Sequence, residues 1–208
     1  MILTLGTATI APRKRYGTLK GAMDRLLALV GLIVLLPFMA FMCILIKLTS
    51  RGPVFFQQER VGQGGVCFKI LKLRTMIQDA ESSTGPIWAQ DNDPRVTKFG
   101  RFMRLSHLDE IPQLINVLLG NMSLVGPRPE RPVFVEQFKR QIPDYSERLN
   151  VKPGITGLAQ VYHSYDSTLR DVRKKLAYDL LYIKKMCMMT DIIIIFLTFR
   201  CLTGRGAK

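Results

Sequence analysis

Apolar residues come in blocks along this chain, and the longest block is uninterrupted by charge from Leu26 to Ile46. As a straight helix its 21 residues reach roughly 30 Å, the depth of a bilayer core. The run is too long for a signal-peptide core, and no small-residue cleavage site follows it. It is therefore expected to stay in the mature protein and to sit in lipid. Pro37, near its middle, has no N–H and clashes with a carbonyl one turn earlier.

Beyond this block the pattern shortens. Val54–Arg60 and Val66–Leu73 predict two strands, joined by the glycine-rich hairpin loop Val61–Gly65. That loop is not a phosphate loop, because no helix opening with Lys-Ser/Thr follows it. Val96–Leu105 predicts a helix with Phe99, Phe102 and Met103 on its apolar side. Gln113–Leu119 predicts another, stopped by Gly120, and Leu169–Lys185 a charged third. Ile77–Ala89 is ambiguous, with Gly85-Pro86 breaking any helix there. Pro127, Pro129, Pro132, Pro143 and Pro153 predict a long irregular stretch. Met186–Phe199 is apolar but holds Asp191 and is too short to span a membrane. It reads as a core helix or strand, or alternatively as an interfacial helix with Lys184 and Lys185 snorkelling to headgroups.

Composition narrows the function. The 208 residues carry 30 Lys+Arg against 16 Asp+Glu, a formal charge of +14. With 48% hydrophobic residues this is no disordered basic tail, and such a balance points to an anionic partner. Cys43, Cys67, Cys187 and Cys201 show no CxxC spacing, and His107 and His163 are the only histidines. A zinc site and a disulfide framework are thus not expected, and reduced thiols facing the cytoplasm are. Nucleic acid is not expected either, since Trp88 is the lone tryptophan and no aromatic-studded basic element appears. The charge gathers around the apolar run: Arg13, Lys14, Arg15, Lys20 and Arg25 precede it, and Lys47, Arg51 and Arg60 follow. Both ends then favour the cytoplasm. A helix that bends at Leu36-Pro37 and returns to the same face satisfies this, and a kinked spanning helix is the alternative.

Three places can carry chemistry. Arg95, Lys98, Arg101 and Arg104 recur every three residues, forming either a solvated stripe or an anion-facing one. In the next segment Pro112 fits only the first turn of a helix, so Asp109 is expected at the N-cap with Glu110 following. Carboxylates there are held ionised and lie beside amides able to hold a phosphate, so one can act as nucleophile and its neighbour can hold a cation. The plain alternative is a cap, with Ser106 as a rival. Arg128 stands between Pro127 and Pro129, which pre-order a phosphate-binding guanidinium or merely stiffen a connector. Lys72 and Arg74 share one face of the second strand and suit an anionic pocket or lipid headgroups.

These segments together resemble a known family. Arg51-Gly52-Pro53-Val54-Phe55-Phe56-Gln57-Gln58-Glu59-Arg60-Val61-Gly62, Lys72-Leu73-Arg74-Thr75-Met76, Leu108-Asp109-Glu110-Ile111-Pro112-Gln113, Ser123-Leu124-Val125-Gly126-Pro127-Arg128-Pro129-Glu130 and Lys152-Pro153-Gly154-Ile155-Thr156-Gly157-Leu158-Ala159-Gln160-Val161 look like the motif set of bacterial sugar transferases. That is the monotopic phosphoglycosyl transferase superfamily. The resemblance runs from about Lys20 to about residue 204.

It implies an α+β, mainly helical fold: a small monotopic membrane domain with an N-terminal re-entrant helix and a β-hairpin. Residues 1–20 would be a basic segment, 21–50 the re-entrant helix and 51–208 a catalytic domain on the cytoplasmic face of the inner membrane. The implied reaction moves a sugar 1-phosphate from a UDP-sugar to undecaprenyl phosphate, with Asp109 as nucleophile and Glu110 helping to bind Mg²⁺. Arg104 and Arg128 map onto phosphate contacts, and Lys72, Arg74 and Gln113 lie within matching motifs as substrate-binding positions. Leu36-Pro37 stands where the family has Ser-Pro, so the proline alone must make the membrane break. The extra N-terminal helices of larger members are not in this sequence. Tyr145–Lys185 looks more like hexose-1-phosphate transferases than like amino-sugar enzymes, so glucose or galactose is the expected sugar. Membrane lipids are expected partners, and a monomer and a homo-oligomer are equally compatible. The rival readings are a non-catalytic basic membrane adaptor and a phosphohydrolase.

Overall fold

The apolar run folds as part of a longer helix, α1 (Lys14–Thr49), of 36 residues. The computed structural model of the chain describes residues 14–78, 80, 93–162 and 168–202. The readings placed on Arg13, Gly85-Pro86, Trp88 and His163 lie outside the described residues, as do most of Ile77–Ala89 and the side chains of Lys14 and Arg15. Helix α1 begins inside the segment read as a basic arm, so residue 20 is no structural boundary. It continues through Leu36 and Pro37 as one element.

One stripe of α1 is buried towards its two ends: Lys20, Asp24 and Ala28 near the start, Met39, Met42 and Ile46 near the end. Steps of three and four residues keep these positions on one side of a helix. The other side exposes Leu26, Leu29, Val30, Ile33, Leu36, Phe41, Ile44 and Leu48. Both ends of α1 therefore dock on the rest of the protein, and its free side is a continuous apolar surface. Ala28 packs with Ile70, Val117 and Met122, whereas Met42 and Ile46 pack with Leu73 and Met103.

The predicted hairpin forms from β1 (Phe55–Val61) and β2 (Cys67–Leu73), antiparallel, with Phe55 opposite Leu73 and Val61 opposite Cys67. Helix α2 (Lys98–Leu105) starts where Thr97 caps it, Oγ1 accepting from the Gly100 amide at 2.9 Å. Helix α3 (Gln113–Leu118) ends as predicted at Gly120, whose φ of 83° is a left-handed conformation glycine adopts freely. Strand β3 (Ser123–Val125) pairs in parallel with β4 (Gly154–Thr156).

The stretch expected to be irregular contains a further helix, α4 (Pro132–Gln141). Pro132 opens it, at a position where the missing N–H would have been unpaired anyway. Short α5 (Leu158–Tyr162) precedes α6 (Leu169–Lys185), which matches its predicted bounds and is held by a Thr168/Asp171 capping box. The main core gathers α4, α6 and the last helix, α7 (Met188–Leu202), around β3 through Val125, Val135, Phe138, Leu176, Leu180, Ile183 and Ile194.

Helix α7 is two-faced. Ile194 is fully buried, while Met189, Ile192, Ile193, Phe196 and Phe199 are exposed. Its one acid, Asp191, is buried and explains why the apolar run is interrupted. Asp191 accepts hydrogen bonds from Tyr16 (2.7 Å), Lys20 (2.5 Å) and Tyr182 (2.8 Å). One carboxylate thereby ties α1 to α6 and α7. Removing one partner of a buried ion pair strands the other and costs about 3–5 kcal/mol. Asp191→Ala is expected to lower the thermal unfolding midpoint of detergent-solubilised protein markedly, and Asp191→Asn, whose amide oxygen still accepts from one of the two tyrosines, by less. Unchanged midpoints in both variants would contradict this role.

Candidate active site

The Asp-Glu pair lies in a single tight turn of helix, Leu108–Glu110, set off from α2 by His107 in the left-handed conformation (φ 54°). This corrects the expected cap. Helical backbone begins at Leu108, so Asp109 is inside the turn rather than capping it, and Pro112 immediately precedes α3. Ser106 is not its rival, because the reversal at His107 leaves Ser106 closing α2, with Oγ donating to the Phe102 carbonyl at 2.8 Å.

The two neighbouring carboxylates have opposite surroundings. Glu110 Oε1 accepts from Lys72 Nζ at 2.8 Å and from Arg128 Nη2 at 2.5 Å, and Oε2 accepts from Arg128 Nη1 at 3.2 Å. Burial pushes its pKa up, but the charges and hydrogen bonds of Arg128 and Lys72 outweigh this and hold it well below the ordinary glutamate range. Asp109 is 6% exposed, and its carboxylate forms no hydrogen bond or ion pair among the described residues. Burial raises its pKa, opposed by the nearby charges of Lys72, Arg104 and Arg128 and reinforced by Glu110. A buried carboxylate ringed by cations but bonded to none is free to attack or to bind.

Each cation reaches the site through scaffolding. Lys72 is set by β2, whose open edge is pinned by Asn116 of α3: Oδ1 accepts from the Leu71 amide at 2.9 Å and Nδ2 donates to the Lys69 carbonyl at 2.8 Å. Arg104 Nε donates to Thr75 Oγ1 at 2.9 Å, and its Nη groups make no hydrogen bond among the described residues. Helix α2 comes this close because of Gly100, where a Cβ would fall 2.0 Å from the Thr75 carbonyl oxygen. The loop bearing Arg128 is held by more than prolines. Buried Arg148 donates to the Arg128 carbonyl at 2.9 Å while paired with Asp179, and Arg60 donates to the Pro129 carbonyl at 3.1 Å. Glu130 is fixed by Lys175 at 2.6 Å, and despite burial the charge of Lys175 and its neighbours brings its pKa down to about 2.

The structure thus gathers Asp109, Glu110, Lys72, Arg104 and Arg128 and separates others from them. Arg74, on the same strand face as Lys72, turns to α1 and donates from Nη2 to the Ser50 carbonyl and hydroxyl at 2.9 and 2.8 Å. Gln113 is buried with Nε2 unpaired. The basic stripe divides: Arg95 pairs with Asp93, Lys98 and Arg101 are exposed, and only Arg104 turns inward. Asn116, Arg148 and Asp179 escaped sequence reasoning, because their partners lie far along the chain; a polar Asn inside an apolar helix was the one available signal.

The side chains here that could hold a divalent cation are Glu110 and Asp109. Glu110 Oε2 keeps acceptor capacity beside the unbonded Asp109, and no cluster of three or more potential ligands exists among the described residues. A site of one or two carboxylates completed by phosphate oxygens suits Mg²⁺ rather than zinc or calcium.

Comparisons with known proteins bear on the family. The chain is 46% identical over 201 residues to the UDP-N-acetylgalactosamine-undecaprenyl-phosphate N-acetylgalactosaminephosphotransferase of Aeromonas hydrophila, covering 96% of this chain and 47% of that protein. It is 54% identical over 135 residues to a putative undecaprenyl-phosphate N-acetylgalactosaminyl 1-phosphate transferase of Bacillus subtilis (65% of this chain, 75% of that one). It is 43% identical over 181 residues to the UDP-glucose:undecaprenyl-phosphate glucose-1-phosphate transferase of Xanthomonas campestris (86% and 37%). The chain spans less than half the length of the first and third of these relatives. The model of the bacterial sugar transferase family matches residues 15–205, and the chain belongs to that family.

Proposed function

We propose that this protein transfers a sugar 1-phosphate from a UDP-sugar to undecaprenyl phosphate at the cytoplasmic face of the bacterial inner membrane. The observation that carries this reading is the unbonded Asp109 carboxylate next to a glutamate already neutralised by two cations. Asp109 attacks the phosphorus that bears the sugar; its oxygen–phosphorus bond forms as the pyrophosphate bridge breaks, and UMP leaves. An oxygen of undecaprenyl phosphate then attacks the same phosphorus and expels the carboxylate, giving the lipid diphosphosugar. The free Nη groups of Arg104 suit the non-bridging oxygens, and Arg128, held from behind by Arg148, can share its guanidinium between Glu110 and phosphate. Mg²⁺, bound by Glu110, would supply charge neutralisation on the diphosphate. A basic adaptor has no need of two buried adjacent acids, which are costly unless used.

The sugar is a proposal drawn from relatives. Those sharing 46% and 54% identity are named for N-acetylgalactosamine, and others sharing 43% to 45% for glucose. This favours an acetamido sugar over the hexose expected from the sequence. Incubation with Mg²⁺ and competing UDP-sugars, without the lipid acceptor, tests chemistry and sugar together. Mass spectrometry is expected to find an N-acetylhexosamine-phosphate adduct on the peptide containing Asp109, absent in Asp109→Asn. An Asp109→Asn enzyme that still makes lipid product would refute the nucleophile, and a hexose adduct would restore the earlier sugar.

The re-entrant placement of α1 is supported by its docking at both ends on one domain, with an apolar side left open between them. A helix crossing the bilayer would carry one end away. In a cysteine-free background, single cysteines near Lys14 and near Arg51 are expected to be unreactive to an impermeant reagent in intact cells. External labelling of either position would establish a span instead.

A further inference from the structure

The polar flank of the apolar run holds a charge cluster that the transfer chemistry does not use. Arg25, exposed, is the last residue before Leu26, and half-buried Lys152 comes from the segment ahead of β4. Both reach over Gly120, where a Cβ would lie 2.8 Å from Arg25 Nη2 and 3.6 Å from Lys152 Nζ. Neither cation makes a hydrogen bond or ion pair among the described residues. The acid beside them is already engaged: Asp24 accepts from Ser123 Oγ at 2.6 Å and lies 3.4 Å from Lys20 Nζ. Two like charges are thus held together with no ion pair of their own and only the nearby charge of Asp24 to offset them, so an anion seated between them would relieve their repulsion. Burial and the adjacent Arg25 charge lower the Lys152 pKa, against the opposing charge of Asp24.

The bland account is that the cations complement the carbonyl end of α3. That helix has only six residues, and neither side chain hydrogen-bonds its carbonyls. Position argues for something else. Arg25 is where α1 passes from a buried polar end to its lipid-like side, the level at which a bilayer presents its phosphates. A guanidinium fork and an ammonium converging over a face without a side chain match one phosphate group.

We propose that Arg25 and Lys152 clamp a single phosphate of a membrane lipid over the Cβ-free face of Gly120. This rests on the membrane placement of α1 proposed above and not on the transfer chemistry. The phosphate can belong to a phospholipid headgroup or to the polyprenyl phosphate acceptor, which share the recognised chemistry.

The test is lipid retention by the full chain in detergent, read by native mass spectrometry. Phosphatidylglycerol, undecaprenyl phosphate and diacylglycerol, which has no phosphate, are titrated separately. Wild type is expected to retain one phosphate-bearing lipid, and Arg25→Gln/Lys152→Gln to weaken that retention by roughly tenfold or more, at about 1 kcal/mol per basic residue near a lipid surface. Diacylglycerol retention should not change. A loss confined to phosphatidylglycerol assigns the headgroup, and one confined to undecaprenyl phosphate assigns the acceptor. Arg25→Lys, which keeps the charge, should retain lipid better than Arg25→Gln, and this single-variant comparison serves if the double variant does not fold. Equal retention by wild type and a folded double variant overturns the clamp, as does equal loss in Arg25→Lys and Arg25→Gln. Because phosphatidylglycerol binding needs no turnover, failure here and failure of the transferase reading are separable.

Discussion

The structure depends on how it accommodates two adjacent buried carboxylates. Both cannot stay ionised side by side without compensation, and compensating both would leave neither reactive. Here Glu110 takes both cations, Lys72 from β2 and Arg128 from the loop after β3, whereas Asp109 keeps their field without their hydrogen bonds. Environments that push neighbouring acids apart in pKa are the usual means of giving them different roles. The same ion pairs draw the hairpin, the Pro-Arg-Pro loop and the tight turn together, so site and fold are one arrangement. Behind them stands a further layer, Arg148 with Asp179 and Glu130 with Arg60 and Lys175, which fixes the loop that delivers Arg128.

A second constraint is that α1 serves both lipid and core. Ala28 and Met42 sit in two separate hydrophobic clusters, while Leu29, Ile33 and Phe41 face outward. The helix is not a tether that can be cut from a self-sufficient domain. Its N-terminal end is locked through Lys20 and Asp191 and its C-terminal end through Ser50 and Arg74. Such locking fixes the height of the reactive turn relative to the apolar surface, as the proposed transfer from a water-soluble donor to a lipid acceptor requires.

Much of this was legible in the chain where local rules decide. The hairpin followed from two apolar runs around a glycine-rich loop, and α6 from its charge pattern. Local rules failed where the same residue type has two uses. Pro132 counted as a breaker but starts α4, and His107, giving no sequence signal for a left-handed turn, moved Asp109 out of the cap. Lys72 and Arg74 share a strand face, yet strand alternation does not say that one meets Glu110 and the other Ser50. The clamps formed by Arg148 and Asn116 join residues far apart in sequence, and no periodicity encodes such pairs. The acids and arginines of the site were raised by local spacing and given roles through motif resemblance; that Glu110 takes both Lys72 and Arg128 while Asp109 takes neither came only from geometry.

The central claim is that Asp109 and Glu110 titrate on opposite sides of the ordinary carboxylate range. Carbon-13 NMR of Asp- and Glu-labelled protein in detergent, followed through an acid titration, measures this directly. The account predicts an aspartate resonance with raised pKa that disappears in Asp109→Asn, and a glutamate that stays ionised well below its usual range until Arg128 is replaced. A Glu110 that takes up its proton before Asp109 as the pH falls would contradict it.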